Sequence, residues 1–166
     1  MIVEIKGDYW EEAMGDSPTY DALVCTTNKI VKKNGCLVMG AGIARQFRDT
    51  FIGIDKEWGS RLNDNRHING FMVTTKHISF GGLRTISLVS FPTKYHWKDK
   101  SSIHLIRSSF LTLLDTIRIM GWENILMTPP GCGLGGLEWP KVKSQLEQQL
   151  HNKSILSRFR LAVISK

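Results

Sequence analysis

The sequence predicts one α/β domain, a sandwich of helices around a mixed sheet. Three observations carry this. Short β-like runs alternate with amphipathic helical stretches along the whole chain. The 166 residues fit one domain spanning 1–166 and leave little room for two. There are no low-complexity tracts, long linkers or fixed-period repeats.

Taken in order, Ile2 to Lys6 alternates apolar and polar residues and reads as an edge or half-buried strand. Ala22 to Thr26 is a continuous apolar run, as expected of a strand covered on both faces. Phe71 to Lys76 and Arg84 to Phe91 read as two further strands, joined by a turn at Gly81-Gly82. Ser101-Ser102 supplies a helix N-cap. Ile103, Ile106, Phe110, Leu113, Leu114 and Ile117 then form one apolar stripe on a helix of about five turns, which Gly121 ends. Asn124 to Thr128 is a strand stopped by Pro129-Pro130. Trp139, Val142, Leu146 and Leu150 mark another helix, with Pro140 in its first turn. Arg160 to Ser165 is the final strand. In such sheets ligands sit beyond the carboxyl ends of strands, where loops lead into helices.

Bulk properties bound the function. With 42% hydrophobic and 22% charged residues, the chain has ordinary globular composition. Its longest apolar runs, such as Ile86 to Phe91, fall far short of the roughly 20 residues that span a bilayer. No basic segment followed by an apolar stretch opens the chain, so a cytoplasmic, non-membrane protein is expected. Cys25, Cys36 and Cys132 are odd in number and lack metal-ligand spacing, which argues for free thiols and against a disulfide framework. Ligand-type residues are scattered, so no metal and no cofactor are implied. The net charge of +7 suits an anionic partner or simply a soluble basic surface. Part of the excess lies in Lys29 to Lys33, Lys94 to Lys100 and Arg158 to Arg160.

Two glycine-dense segments fall where a ligand site belongs. The first is Gly40-Ala41-Gly42-Ile43-Ala44. Its glycines permit close backbone approach, and the helix expected after Gly42 would aim free N–H groups at an anion. A tight turn without a ligand explains a lone Gly-x-Gly equally well. Arg45 replaces the third glycine of a dinucleotide fingerprint, which disfavours that fold. The second segment is Gly131-Cys132-Gly133-Leu134-Gly135-Gly136-Leu137, with four glycines in six residues between a strand and a helix. Such a loop can wrap a diphosphate with backbone N–H donors. Its apolar residues are unlike those of a flexible connector, which is usually serine-rich and polar.

These segments resemble the macrodomain family. Val24-Cys25-Thr26-Thr27-Asn28 is similar to the family's strand end, "V-N-x-x-N". Gly35 followed by Met39 to Ala44 resembles its first ligand loop, and Pro130 to Trp139 its second, "P-x-G-C-G-L-x-x-L-x-W". Order and spacing match over nearly the whole chain. The resemblance is to the branch holding terminal ADP-ribose glycohydrolases, DNA-directed ADP-ribosyl hydrolase antitoxins and ADP-ribose 1″-phosphate phosphatases. It implies a three-layer α/β/α macrodomain sandwich with a mixed central sheet. It also implies a monomer that binds ADP-ribose or an ADP-ribosylated substrate, including ADP-ribosylated DNA.

Residue by residue, the resemblance implies that Asp8 reads the adenine amino group, with Tyr9 beside it in the ligand site. A carboxylate suits an exocyclic amine, although a turn or N-cap role suits Asp8 as well. Asn28 matches the asparagine on the distal ribose, and an amide both donates and accepts. Lys94, in Pro92-Thr93-Lys94-Tyr95-His96-Trp97, matches the lysine of the "P-T-K-x-H-W" segment of the DNA-directed hydrolases. With Asn28 it makes up the expected catalytic pair. Lys94 could attack the anomeric carbon or assist a leaving group electrostatically. His96 could move protons, and Trp97 reads as a packed loop side chain.

The protein-directed relatives carry an aspartate immediately after "G-C-G-L", where this chain has Gly135. The DNA-directed relatives have glycine there, so the choice tilts toward them or toward the phosphatases. Four readings follow: an ADP-ribosyl hydrolase acting on a DNA base or a protein side chain, an ADP-ribose 1″-phosphate phosphatase, a reader without turnover, and a general nucleic-acid binder. The last ranks lowest because the basic residues lack interleaved aromatics for a stacking platform.

Overall fold

A computed structural model describes residues 1–16, 19–64, 69–79, 83–152 and 159–165. Six strands form one sheet: β1 (Ile2–Lys6), β2 (Ala22–Thr27), β3 (Met72–Ser79), β4 (Leu83–Pro92), β5 (Asn124–Met127) and β6 (Arg160–Ser165). Their spatial order is β1-β6-β5-β2-β4-β3. All neighbours are parallel except β3 and β4, which run antiparallel from Met72↔Ser90 to Ser79↔Leu83. The turn expected at Gly81-Gly82 and the basic residue Arg158 lie outside the described residues.

Alternate residues of the inner strands feed two separate cores. Leu23 and Cys25 of β2, with Ala162 and Ile164 of β6, face helices α1 (Tyr9–Met14), α2 (Gly42–Thr50) and α3 (Ile54–Asn63). Ala22 and Val24, with Leu161 and Val163, face α4 (Ile103–Met120) and α5 (Trp139–Asn152). The result is the three-layer α/β/α sandwich around a mixed sheet. A strand buried on both faces reads as an apolar run because neither face meets water.

The expected stripe on α4 is realised from its second turn, with Ile106, Phe110, Leu113, Leu114 and Ile117 all buried, whereas Ile103 in the first turn is exposed. Ser102 caps it by accepting from the Leu105 N–H at 3.3 Å. Gly121 closes it in the left-handed region at φ 68°. No described helix is long and apolar enough to cross a membrane.

Some boundaries differ from expectation. β3 runs on to Ser79, β4 extends to Leu83 and Pro92, and β5 stops at Met127. Two helices, α1 and α3, carry no expected signal. α3 fully buries Ile54, Trp58 and Gly59, and with the partly buried Leu62 this makes a narrow stripe one residue wide. Ile54 and Trp58 anchor it in the core with Leu62 packed behind them, and polar contacts to β3 add to that hold. The Thr74 hydroxyl accepts from Trp58 Nε1 at 3.1 Å and donates to Glu57 Oε1 at 2.6 Å.

α3 also lies hard against the segment that leads into the first glycine loop. A Cβ on Gly59 would stand 2.1 Å from the Gly35 carbonyl oxygen and 2.6 Å from the Leu37 nitrogen. Both obstacles are main chain, so a methyl group there forces backbone movement. Gly59→Ala is expected to cost about 1–3 kcal/mol, as other overpacked cores do, read as a lower urea midpoint. A wild-type midpoint would show that the helix can draw back freely.

Candidate functional site

One cavity of about 660 Å³ opens at the carboxyl ends of four adjacent parallel strands. Its floor comes from Thr26 and Thr27 of β2, Thr93 and Lys94 after β4, Thr128 and Pro129 after β5, and Ile164 and Ser165 of β6. The two glycine loops form its walls, through Gly40 to Ala44 and Gly131 to Gly135. The volume falls within the range of sites for drug-sized ligands.

Asn28 ties the floor to the first loop. Its Nδ2 donates to the Val38 carbonyl at 2.8 Å, and its Oδ1 accepts from the Ile30 N–H at 2.9 Å. One amide hydrogen and one lone pair remain, enough for a ribose hydroxyl. Ala41 precedes α2 in extended conformation without a side-chain cap, and no acidic residue occupies the first turn. The leading N–H groups of α2 therefore face the cavity without an internal partner, which favours an anion there.

The second loop is closed by its own backbone. Leu137 N donates to Gly131 O at 3.0 Å, and Gly136 N to Gly133 O at 3.1 Å. Gly131 and Gly136 sit at φ 76° and 73°, conformations that a residue with a side chain rarely adopts. Gly136 and Leu137, expected in the ligand site, lie outside the cavity lining and brace the loop from behind. Gly135 packs on Ser101, whose N–H donates to its carbonyl at 2.9 Å. A Cβ on Gly135 would stand 2.1 Å from Ser101 Oγ and 2.3 Å from Gly131 O. The buried Ser101 hydroxyl has no hydrogen-bond partner among the described residues. Burial pushes the Cys132 thiol up to about 11. Iodoacetamide should therefore label Cys132 slowly at pH 7.5, with a rate that climbs as pH rises toward 11. Rapid labelling at neutral pH, followed by peptide mass spectrometry, would contradict this.

Lys94 reaches from the floor to the second loop. Its Nζ donates to the Leu134 carbonyl at 3.3 Å. Its backbone is clamped on both sides: Thr93 N donates to Thr27 O at 3.0 Å, and Tyr95 O accepts from Lys29 N at 3.1 Å.

Asp8 and Tyr9 sit apart from this cavity. Asp8 caps α1, its Oδ1 accepting from Trp10 N at 2.8 Å and Glu11 N at 3.1 Å. It stands beyond β6, where Gly7 N donates to Ser165 O, so it flanks the cavity rim without lining it. The Tyr9 side chain is buried beneath the sheet, with its hydroxyl directed at Leu126 O at 3.3 Å. Desolvation holds that phenol well above its ordinary value. The ring therefore serves the core, and Tyr9 does not line the cavity. His96 is absent from the lining, while Trp97 belongs to it and is 49% exposed, not packed as expected. Ser101 and Ser165 line the cavity without a sequence signal for that role, because only the meeting of distant segments brings them there, and Thr93 of the "P-T-K-x-H-W" segment lines it beside Lys94.

The Macro domain family model matches residues 32–146. The chain belongs to the macrodomain family. The solved macrodomain of Thermus aquaticus DarG superposes with a TM-score of 0.78 at 25% identity, covering 100% of this chain and 99% of that one. The macrodomain of Mycobacterium tuberculosis DarG gives 0.77 at 26% identity, covering 100% and 98%. Among curated proteins, a "DNA ADP-ribosyl glycohydrolase" of Mycobacterium tuberculosis is 29% identical over 127 residues, 76% of this macrodomain and 36% of that protein. One of Thermus aquaticus is 28% identical over 130 residues, 78% of this macrodomain and 34% of that protein. The chain thus spans about a third of the length of these curated relatives.

Proposed function

We propose that this macrodomain binds ADP-ribose in the cavity and hydrolyses the bond joining it to a DNA base. The observation that carries the reading is Lys94, a cation at the cavity floor that lines the same space as both glycine loops and is held to the second by the Leu134 carbonyl. In this reading the uncapped start of α2 and the second loop bind the diphosphate, and Asn28 holds the distal ribose. Asp8 meets the adenine amino group across the β6 rim with the carboxylate oxygen that capping leaves over. The names of the curated relatives support the choice of DNA as target.

In the reaction, the bond from the anomeric carbon to the base nitrogen breaks. Lys94 gives a proton to the departing base, water supplies hydroxide to the anomeric carbon, and the remaining water proton returns to Lys94. The Leu134 carbonyl occupies one N–H of the ammonium and leaves two free. The odd number of free thiols suits action in the reducing cytoplasm, and the module acts as a monomer.

The test incubates the protein with single-stranded DNA carrying ADP-ribose on a base and follows release of ADP-ribose. Release supports the reading. Tight ADP-ribose binding with no release would make the module a reader. Release of inorganic phosphate from ADP-ribose 1″-phosphate, with modified DNA untouched, would make it a phosphatase.

A further inference from the structure

Aromatics and cations interleave on the surface beside the cavity mouth, contrary to the expectation drawn from the sequence. Lys29 Nζ lies 5.4 Å from the centre of the Tyr95 ring. Lys98 Nζ lies 5.0 Å from that of Trp97. His96 stacks on Trp97 with centroids 5.5 Å apart and planes 27° from parallel. The His96 Nδ1 accepts from Lys98 N at 3.2 Å, and Asp99 N donates to His96 O at 3.0 Å, so a tight turn fixes this set. Tyr95 is 52% exposed and Trp97 49% exposed, so each ring keeps much of its surface in solvent. The segment 94–100 holds three lysines against one acidic residue, Asp99. Among the described residues, neither Lys29, Lys98 nor Lys100 enters an ion pair.

We infer that Tyr95, Trp97, Lys29 and Lys98 form a docking platform for single-stranded DNA flanking the nucleotide that enters the cavity. Open bases stack on exposed rings, and phosphates meet the unpaired lysines. Trp97 supplies the continuity, since it both lines the cavity and belongs to the platform. The occupant is single-stranded because paired bases hide the faces that rings stack on. The sequence already sets Tyr95, His96 and Trp97 between Lys94 and Lys98, and the fold adds Lys29 to them. This inference rests on the proposed function for its choice of DNA as partner, and it adds the surface that reads the strand.

The experiment measures fluorescence anisotropy of a labelled, unmodified single-stranded oligonucleotide at several salt concentrations. The probe binds wild type, and the same sequence as a duplex binds more weakly. Tyr95→Ala combined with Lys98→Ala weakens binding about tenfold or more and lowers the salt slope by about 0.7, the loss of one phosphate contact. Tyr95→Phe keeps the ring and retains binding. Calorimetry on the double variant gives wild-type affinity for free ADP-ribose, which also shows that it is folded. Oligonucleotide binding unaffected by the double substitution, or equal binding of duplex, overturns the platform. Wild type that binds the oligonucleotide in this pattern yet releases no ADP-ribose from modified DNA overturns the proposed hydrolysis and leaves the platform standing.

Discussion

Replacing Lys94 with alanine is expected to lower kcat/KM on ADP-ribosylated single-stranded DNA about 10²–10³-fold, the usual loss when one well-placed donor is removed. Affinity for free ADP-ribose should stay within about threefold of wild type. The reason is the division of labour in the cavity. Binding rests on backbone donors of the two loops and on Asn28, whereas Lys94 reaches the site as a single ammonium from the end of β4. Lys94→Arg keeps charge and donors but spreads them over a planar fork, and should recover only part of the rate. Single-turnover kinetics with calorimetry separate the two effects. A fully active Lys94→Ala variant would remove this residue from the chemistry, and a parallel loss of rate and affinity would make it a binding residue only.

The second large effect is expected from Gly135→Asp. On paper this substitution restores the aspartate that protein-directed relatives carry after the same "G-C-G-L" run. In this fold it should instead damage the loop. The new Cβ would meet Ser101 Oγ at 2.1 Å and the Gly131 carbonyl at 2.3 Å, and the Asp carboxylate would follow it into a packed space. The expected outcome is a stability loss of about 1–3 kcal/mol in urea unfolding, with ADP-ribose affinity lowered at least about tenfold. Combining it with Ser101→Gly should recover only part of either loss, since the Gly131 obstacle is main chain. Two independent substitutions would simply add, so a double-mutant cycle tests the contact directly. A stable Gly135→Asp protein with new activity on modified proteins would overturn the packing argument.

How much of this was legible in the sequence depends on how local each signal is. β2 shows as an apolar run because both of its faces are buried, and α4 shows as a stripe because one face is. Both glycine loops were visible, and the fold brings them to opposite walls of one cavity. Six-residue α1 is too short to display a helical period, and the two Asp8 Oδ1 bonds define its start. α3 shows only three apolar residues at helical spacing, Ile54, Trp58 and Leu62, and part of its hold is a polar cluster on β3 that periodicity does not encode. Tyr9 sits next to Asp8 in sequence but on the opposite side of the chain, so proximity misplaced it. Trp97 has the hydrophobicity of a core residue, and nothing local says that it stays half in solvent.

The strand order has a bearing on biosynthesis. β1 pairs with β6 alone, and β6 lies between β1 and β5. β1 therefore has no sheet partner until β6 has been made. Until then β5 carries an open edge, and the cavity lacks the part of its floor that Ile164 and Ser165 provide. Pairings this distant in sequence form slowly and leave sticky edges waiting. A nascent chain arrested before residue 160 would be an aggregation-prone intermediate without a ligand site, so acquisition of binding should coincide with release of β6 from the exit tunnel.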